Sequence, residues 1–135
     1  MLKIWKIFVA LGLVSALFVV LETTAASNAV DAKPALEQRI AKYWAARQIR
    51  DIKTLYEMES GSLPGKGLTL DKAMGLAGLR VKNVKTEEIA IDGERATVQL
   101  KGDVLIGTMG WTPQTLQETW VLIDGQWYHE TKLQE

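Results

Sequence analysis

The sequence has 135 residues, of which 47% are hydrophobic and 24% are charged, and its 16 basic side chains balance 16 acidic ones. This length and composition are typical of one globular domain, and the even charge balance gives no support for nucleic-acid binding. With no cysteine and one histidine, the chain cannot build a disulfide, an iron–sulfur cluster, a thiolate zinc site or a multi-histidine metal site. We therefore expect neither a metal nor a cofactor.

Residues 1–29 have the pattern of an export element rather than of a folded domain. Lys3 and Lys6 precede an uninterrupted apolar run, Glu22 ends that run, and small polar residues follow. This order is typical of a secretory signal peptide, and the small-x-small motifs in the polar stretch are candidate cleavage sites.

An uncleaved membrane anchor is the alternative for the same segment. The stretch from Ile4 to Leu21 approaches the roughly 20 residues that span a bilayer if Lys6 snorkels to the interface. The basic flank favours an N-terminus inside the cytoplasm. Both alternatives place residues 30–135 in the periplasm or cell envelope, either secreted or anchored to the membrane.

The next part of the chain has helical periodicity. Pro34 suits the first turn of a helix, and apolar residues then recur every three or four positions as far as Met58, with a bend near Asp51. Asp51 either contacts a pocket or caps the helical turn that follows it. Residues 60–67 are rich in glycine and predict a loop, and Thr69 is a candidate cap for a short third helix.

After these helices the hydrophobic pattern changes to a period of two. Asp92-Gly93 and Asp124-Gly125 each separate two alternating runs, which predicts two β-hairpins. A segment that contains glycines and Pro113 is expected to form a loop between the hairpins.

The second hairpin brings two ionisable residues together. With Asp124-Gly125 as a two-residue turn, Trp120 lies opposite His129, and Glu118 becomes a diagonal neighbour of His129. The more apolar face of this hairpin, which also carries Trp127, should meet the helices. A carboxylate beside an imidazole can move protons, so Glu118 and His129 are candidate catalytic residues. The two side chains can equally satisfy each other as a structural pair.

The order of helices and strands resembles the nuclear transport factor two-like superfamily, which includes SnoaL-like proteins. The residues that carry the resemblance are the Tyr43-Trp44 pair and the tryptophan strand that ends in Asp-Gly-x-Trp at residues 124–127. The resemblance covers roughly residues 35–131. It implies an α+β domain over residues 30–135, in which N-terminal helices pack on a strongly curved antiparallel sheet and form a cone with a pocket at its open end. Here a hydrophobic N-terminal helix would precede the cone.

Aromatic residues are the further candidates for binding. Trp111 lies in the predicted loop between the hairpins, where an exposed aromatic side chain can bind a partner or pack against the loop. Five further aromatic residues either line a ligand pocket or pack in the core: Tyr43, Trp44, Tyr56, Trp120 and Trp127.

These observations predict an exported or membrane-anchored, non-catalytic binding or assembly domain, an accessory subunit of a membrane or cell-envelope protein complex. We expect a protein partner, a membrane contact through residues 4–21 if they are not cleaved, and, as a further option, a homodimer through the sheet face. The alternative is a domain that binds a small apolar ligand, or an isomerase-like or dehydratase-like enzyme that uses Glu118 and His129. Members of the superfamily include both classes, so the fold leaves the choice open.

Overall fold

The computed structural model describes the backbone of residues 16–133 and the side chains of residues 32–133. The chain divides into two compact units, Met1–Pro34 and Ala35–Glu135. The predicted export segment lies largely outside the described residues, so its cleavage or anchoring stays a prediction. Within the described part of the chain, no helix is long and apolar enough to cross a bilayer.

Helix α1 comprises Ala16–Ile49, and its residues from Ala35 onward belong to the second unit. Pro34 therefore lies inside a helix, and its predicted place in the first helical turn is wrong. A proline at an interior position removes one backbone hydrogen bond and crowds the preceding turn. The boundary between the two units falls at this proline.

Short helices follow in the second unit, and both begin at the predicted caps. They are α2 (Ile52–Met58) and α3 (Leu70–Leu76), with a 3₁₀ turn at Ser60–Ser62 between them. The Asp51 carboxylate accepts a hydrogen bond of 3.2 Å from a backbone N–H of the first turn of α2, and the Thr69 hydroxyl accepts one of 3.3 Å in α3. These bonds satisfy donors that helix geometry leaves unpaired. The bend and both caps are thus confirmed.

The strands form one antiparallel sheet with the spatial order β1-β2-β3-β4. Their bounds are Val81–Asp92 for β1, Arg95–Ile106 for β2, Gly110–Ile123 for β3 and Gln126–His129 for β4. The predicted fold class is confirmed: helices are followed by a curved, four-stranded antiparallel sheet. Because each strand is adjacent to its sequence neighbour, short turns suffice to connect the sheet.

Both predicted hairpins are present. In the second, Trp120 lies opposite His129 as predicted, and Asp124 and Gly125 have φ values of 50° and 79°. Positive φ at both central residues is the requirement of a type I′ turn. In the first, Asp92 already pairs with Arg95, so the turn is Gly93-Glu94 rather than the predicted Asp92-Gly93. Gly93 has a φ of 60°, which suits the first central position of a type II′ turn.

The predicted loop between the hairpins is largely wrong. A short 3₁₀ turn, Gly107–Met109, makes the connection, and Pro113 lies inside β3. The backbone N–H of Leu122 donates to the carbonyl of Glu94 at 2.7 Å, so the even-numbered residues of β3 bond to β2. The backbone nitrogen of residue 113 faces away from β2, and a proline there breaks no hydrogen bond of the ladder.

The core of the second unit lies between the helices and the inner face of the sheet, which is the face that carries Trp120. Trp120 is 0% exposed and Trp127 is 2% exposed, so the prediction that this face of the second hairpin meets the helices is confirmed. The other large side chains that are fully buried in the core come from α1, α2 and β2: Leu36, Ile40, Tyr43, Met58, Val98 and Leu100.

Candidate functional site

Five polar side chains meet where the inner face of the sheet approaches the helices, and we refer to them as the carboxylate–histidine cluster. They come from α1, from the residue after α2, from β3 and from the end of β4 and beyond: Tyr43, Glu59, Glu118, His129 and Thr131.

Glu59 is a deeply buried carboxylate of this cluster. It follows α2 directly, is 2% exposed, and forms an isolated parallel β-bridge with His129. One carboxylate oxygen, Oε1, accepts a hydrogen bond of 2.7 Å from the hydroxyl of Tyr43. The other, Oε2, accepts one of 2.7 Å from the hydroxyl of Thr131. A buried carboxylate needs such donors, because they replace the water it has lost.

His129 lies between two carboxyl groups. Its Nδ1 is 2.9 Å from Oε1 of Glu59, and its Nε2 is 3.2 Å from Oε2 of Glu118. Nδ1 has no well-aligned hydrogen-bond acceptor among the described residues, so its contact with Glu59 is mainly electrostatic. The imidazole ring stacks on the ring of Tyr43, with centroids 4.5 Å apart and an angle of 14°. The structure thus confirms that Glu118 and His129 are neighbours.

Glu118 is fixed by two indole groups. Its Oε1 accepts hydrogen bonds of 3.0 Å from Nε1 of Trp44 and 2.9 Å from Nε1 of Trp120. A buried indole N–H needs an acceptor, and here one oxygen serves both. The remaining oxygen of Glu118 is therefore left to contact His129.

These contacts determine the protonation states of His129, Glu59 and Tyr43. Burial by itself lowers the pKa of His129, but the adjacent Glu118 and Glu59 outweigh it and raise the pKa to about 9. For Glu59, burial acts to raise the pKa, yet His129 and the hydroxyl donors hold it below its ordinary value. Burial, and then the proximity of Glu59, raise the pKa of the Tyr43 hydroxyl far above its ordinary value. At neutral pH the cluster contains an imidazolium, an ionised Glu59 and a neutral phenol.

The chemistry of this arrangement favours a structural role. A general base must be unprotonated at the working pH, and His129 is protonated. Both nitrogens of its ring already face carboxyl groups of the same domain. The cluster therefore acts as an ion-paired junction between α1, α2 and the last two strands.

A cleft of about 200 Å³ opens beside the cluster. Its walls carry charged groups of both signs, including Arg47, Glu118, His129 and Lys132. Among the aromatic residues predicted for a ligand pocket, Tyr43 lines this cleft. Trp44, Trp120 and Trp127 belong to the hydrophobic core, and Tyr56 is half-buried on α2.

Trp111 lies in β3 and not in a loop. Its predicted position is therefore wrong, as is that of Pro113, because the segment predicted as a loop belongs to this strand. Its side chain is 43% exposed, and the ammonium group of Lys82 lies 4.3 Å from the centre of its ring. This distance is typical of a cation–π contact. A role of Trp111 in partner binding stays a prediction.

No pattern in the sequence singles out Glu59 or Thr131 as a site residue. Glu59 ends an amphipathic helical pattern, where a glutamate is ordinarily a solvated residue. Its burial depends on β4, which lies far along the chain from α2, and no local pattern reports that contact. Among the side chains of residues 32–133, no group of His, Asp and Glu is arranged to hold a metal ion.

No known sequence family matches this chain, and no curated protein matches it. Solved structures do resemble it. A SEC-C motif containing protein from Psychrobacter arcticus matches with a TM-score of 0.56 and 15% identity over 72% of this chain and 59% of that protein. Another SEC-C motif containing protein, from Rhodopseudomonas palustris, matches with a TM-score of 0.50 and 14% identity over 65% of this chain and 69% of that protein.

A protein from Campylobacter jejuni that is described as an NTF2-like transpeptidase matches with a TM-score of 0.51 and 16% identity. The match covers 71% of this chain and 98% of the C. jejuni protein. At such identities the likeness concerns the fold and not the activity. Membership of the SnoaL-like group and an extracytoplasmic location stay predictions. The second unit of this chain has an NTF2-like α+β fold.

Proposed function

We propose that residues 30–135 form a non-catalytic binding or assembly domain, exported or anchored to the membrane, that serves as an accessory subunit of a membrane or cell-envelope complex. Two observations support this proposal. The sequence of residues 1–29 has the order of an export signal or anchor. The second unit has an NTF2-like fold, which serves both binding and enzymatic functions.

The contacts of His129 are the observation that favours a binding function over a catalytic one. The imidazole is the lone histidine of the chain, and it lies within 3.2 Å of Glu118 and 2.9 Å of Glu59. An enzyme that moves protons needs at least one group that can donate a proton to a substrate or accept one from it. In this cluster, each candidate group is bound by another side chain of the domain.

The alternative, an apolar-ligand site or an isomerase-like enzyme, has weaker support. The cleft beside the cluster measures about 200 Å³ and has charged walls, whereas pockets for apolar ligands are larger and lined mainly by apolar side chains. The three tryptophans that would line such a pocket are 0–6% exposed and pack in the core.

Fractionation of the full-length chain tests the location. We expect the protein with a C-terminal tag to fractionate with membranes or with the extracytoplasmic space and to co-purify with a defined set of membrane proteins. The intact mass then separates a retained anchor from a signal cleaved near Ala26 or Ala29. A soluble cytoplasmic protein with an intact N-terminus would overturn the export part of the proposal.

The substitution Glu118→Gln tests the non-catalytic part. Glutamine keeps the shape and an acceptor for the indole groups, but it cannot take up a proton at neutral pH. We expect a loss of about 1–3 kcal/mol in unfolding free energy, with partner capture unchanged. Gln126→Glu, at an exposed position of β4, is the control for a change in charge. A folded Glu118→Gln protein that loses turnover or a ligand-induced thermal shift would make the cleft an active site.

A further inference from the structure

Among the residues that the structure describes, strand β3 has one edge that is only partly paired, and we refer to its unpaired part as the free edge. Strand β4 pairs with its last four residues, Trp120–Ile123, and the carbonyl of Thr119 accepts one more hydrogen bond, from the N–H of Glu130 at 2.9 Å. Within residues 16–133, no strand pairs with residues 110–118 on the side away from β2. The backbone groups on that side therefore lack a β-ladder.

The direction of each backbone group follows from the hydrogen bonds at the other end of β3. The bond to Thr119 shows that odd-numbered residues face the free side, and the bond from Leu122 to Glu94 shows that even-numbered residues face β2. The free edge therefore presents N–H donors from three residues and carbonyl acceptors from four, since proline has no N–H: Trp111, Pro113, Thr115 and Gln117. Such a row of alternating groups is matched by an extended strand.

The two edges of the sheet differ in how well they are protected against the addition of another strand. The outer strand β1 carries charged residues such as Lys85 and Glu87, and its register with β2 is interrupted twice. Charges and bulges both hinder the addition of another strand. Strand β3 keeps an uninterrupted register with β2 from Gly110 to Val121, and residues 104–117 contain no charged side chain. Pro113 is the feature of β3 that limits pairing there, and it removes one donor.

We propose that the free edge of β3 pairs antiparallel with the same edge of a second copy of this chain, which joins the two sheets into one. A two-fold dimer brings a surface against itself, so an excess of charge of one sign on that surface repels the same charge on the second copy. The uncharged segment of residues 104–117 is compatible with such self-pairing. A second copy is therefore the occupant that this edge fits.

One register pairs all but one of the free backbone groups of each copy and accommodates the proline. With Gln114 on the two-fold axis, Trp111 lies opposite Gln117 of the second copy, and Thr115 lies opposite Pro113 of the second copy. Each Trp111–Gln117 pair can exchange two hydrogen bonds, and each Thr115 N–H can donate to a Pro113 carbonyl, about six bonds in total. Because Pro113 has no N–H, the backbone carbonyl of Thr115 in each copy stays unpaired. The pairing ends at Gln117, just before Thr119, whose carbonyl is already bonded to Glu130.

Cysteine cross-linking tests this dimer in the full-length chain, because the native sequence has no cysteine. In the proposed register, residue 114 faces its own copy as a non-hydrogen-bonded pair, with Cα atoms about 4.5 Å apart, which suits a disulfide. We expect Gln114→Cys to form a covalent dimer when membranes or extracts that contain the protein are oxidised. The matched control is Thr97→Cys, an exposed residue that lies between two paired strands.

A second substitution tests the backbone hydrogen bonds. Thr115→Pro in the Gln114→Cys chain removes a donor on the free edge and no bond to β2, so we expect the cross-linked fraction to fall roughly tenfold while the fold is kept. Thr115→Val, which keeps the N–H, should leave the dimer in place. If Thr115→Pro does not fold, Thr115→Lys opposes like charges across the axis and should reduce the dimer similarly.

The remaining outcomes would overturn the proposal. Cross-linking at residue 97 without cross-linking at residue 114 would indicate a dimer through the sheet face. No cross-linking at either position, with a monomeric mass in sedimentation, would show that the edge stays unpaired. Cross-linking at residue 114 that Thr115→Pro leaves unchanged would show random collision rather than strand pairing.

Discussion

Glu59 illustrates, at the scale of a single residue, how a buried charge holds distant segments together. Its carboxylate accepts hydrogen bonds from Tyr43 of α1 and from Thr131 beyond β4, and it contacts His129. If one member of such a buried set is removed, the remaining polar groups lose a hydrogen-bond or charge partner in a place where water cannot replace it. The stability of the junction therefore depends on Glu59, a residue that the helical pattern predicts to be exposed to solvent.

The substitution Glu59→Gln tests this role. Glutamine offers one acceptor oxygen and an amide donor, so it cannot satisfy both hydroxyl groups and the imidazolium. We expect a loss of about 1–3 kcal/mol in unfolding free energy, measured by urea denaturation. The pKa of His129, followed by NMR of the lone histidine, should fall. The control is Glu57→Gln, whose side chain is 58% exposed; an equal effect of both substitutions would contradict the role of Glu59.

Trp127 and Trp111 are a matched pair of substitution sites, because one is buried in the core and the other is exposed. Trp127 is 2% exposed and Trp111 is 43% exposed. Trp127→Ala should cost about 3–5 kcal/mol, because a large cavity opens in the core. Trp111→Ala should cost much less, because solvent fills the space. Calorimetric or urea unfolding of both variants measures this difference. A loss below about 0.5 kcal/mol for Trp127→Ala would mean that the face of the hairpin is inverted.

The candidate site is predictable from the sequence only as far as its contacts are local. Glu118 and His129 lie in one hairpin, and the Asp-Gly turn fixes their register, so their proximity follows from spacing alone. Glu59 and Trp44 reach the same site from other elements, far away in sequence from His129 and Glu118. Such contacts depend on how the helices pack on the sheet, which a single sequence does not encode in any short pattern.

At the scale of elements, turn chemistry decides where strands begin and end. Gly125 has a φ of 79°, a region that L side chains rarely adopt. Gly75 lies in α3, and the space that a Cβ atom would occupy there is open. The two glycines thus serve different purposes. One permits a tight turn, and the other is a weak point in a helix.

Alanine at each of these glycines should therefore have opposite effects. Gly125→Ala should destabilise the domain by about 1–2 kcal/mol, because it forces a side chain into the left-handed region. Gly75→Ala should stabilise it by about 0.5–1 kcal/mol through a better helix propensity. Thermal unfolding of both variants checks the signs. Stabilisation by Gly125→Ala would show that the turn does not need a positive φ at this position.

Sequence patterns predict the elements well where a single local cause acts. The caps at Asp51 and Thr69 follow from side-chain hydrogen bonds to the first helical turn. The segment around Trp111 and Pro113 predicts a loop instead of a strand, because proline ordinarily interrupts a strand. The strand tolerates Pro113 because its backbone nitrogen faces the free edge, a circumstance that depends on the length of β4 rather than on the segment itself.

At the scale of the whole domain, the carboxylate–histidine cluster couples folding to protonation. The unfolded chain leaves His129 and Glu59 near their ordinary pKa values of 6.5 and 4.5, while folding raises the first to about 9 and lowers the second. Each difference in pKa between the folded and unfolded chain is a contribution to stability that varies with pH. The two contributions disappear at opposite ends of the pH scale.

The signs give a defined window of maximal stability. The contribution of His129 is complete below about pH 6.5, where the unfolded chain is also protonated, and it is lost as the pH rises through about 9. The contribution of Glu59 is complete above about pH 4.5 and is lost as the pH falls through its depressed folded value. We therefore expect the domain to be most stable between about pH 4.5 and pH 6.5 and to weaken steadily toward pH 9.

Urea unfolding across this range, with His129→Gln as the comparison, checks the prediction. The substitution removes the group that titrates between pH 6.5 and 9, so the unfolding free energy of the variant should change little over that interval while that of the native chain falls. The NMR titration of the lone histidine should independently give a midpoint near 9 in the folded protein. A native chain whose stability stays flat from pH 6.5 to 9, with a histidine midpoint near 6.5, would mean that the two carboxyl groups do not hold the proton. The ring of His129 would then be neutral at physiological pH and able to accept a proton, and the case for a catalytic cleft would become the stronger one.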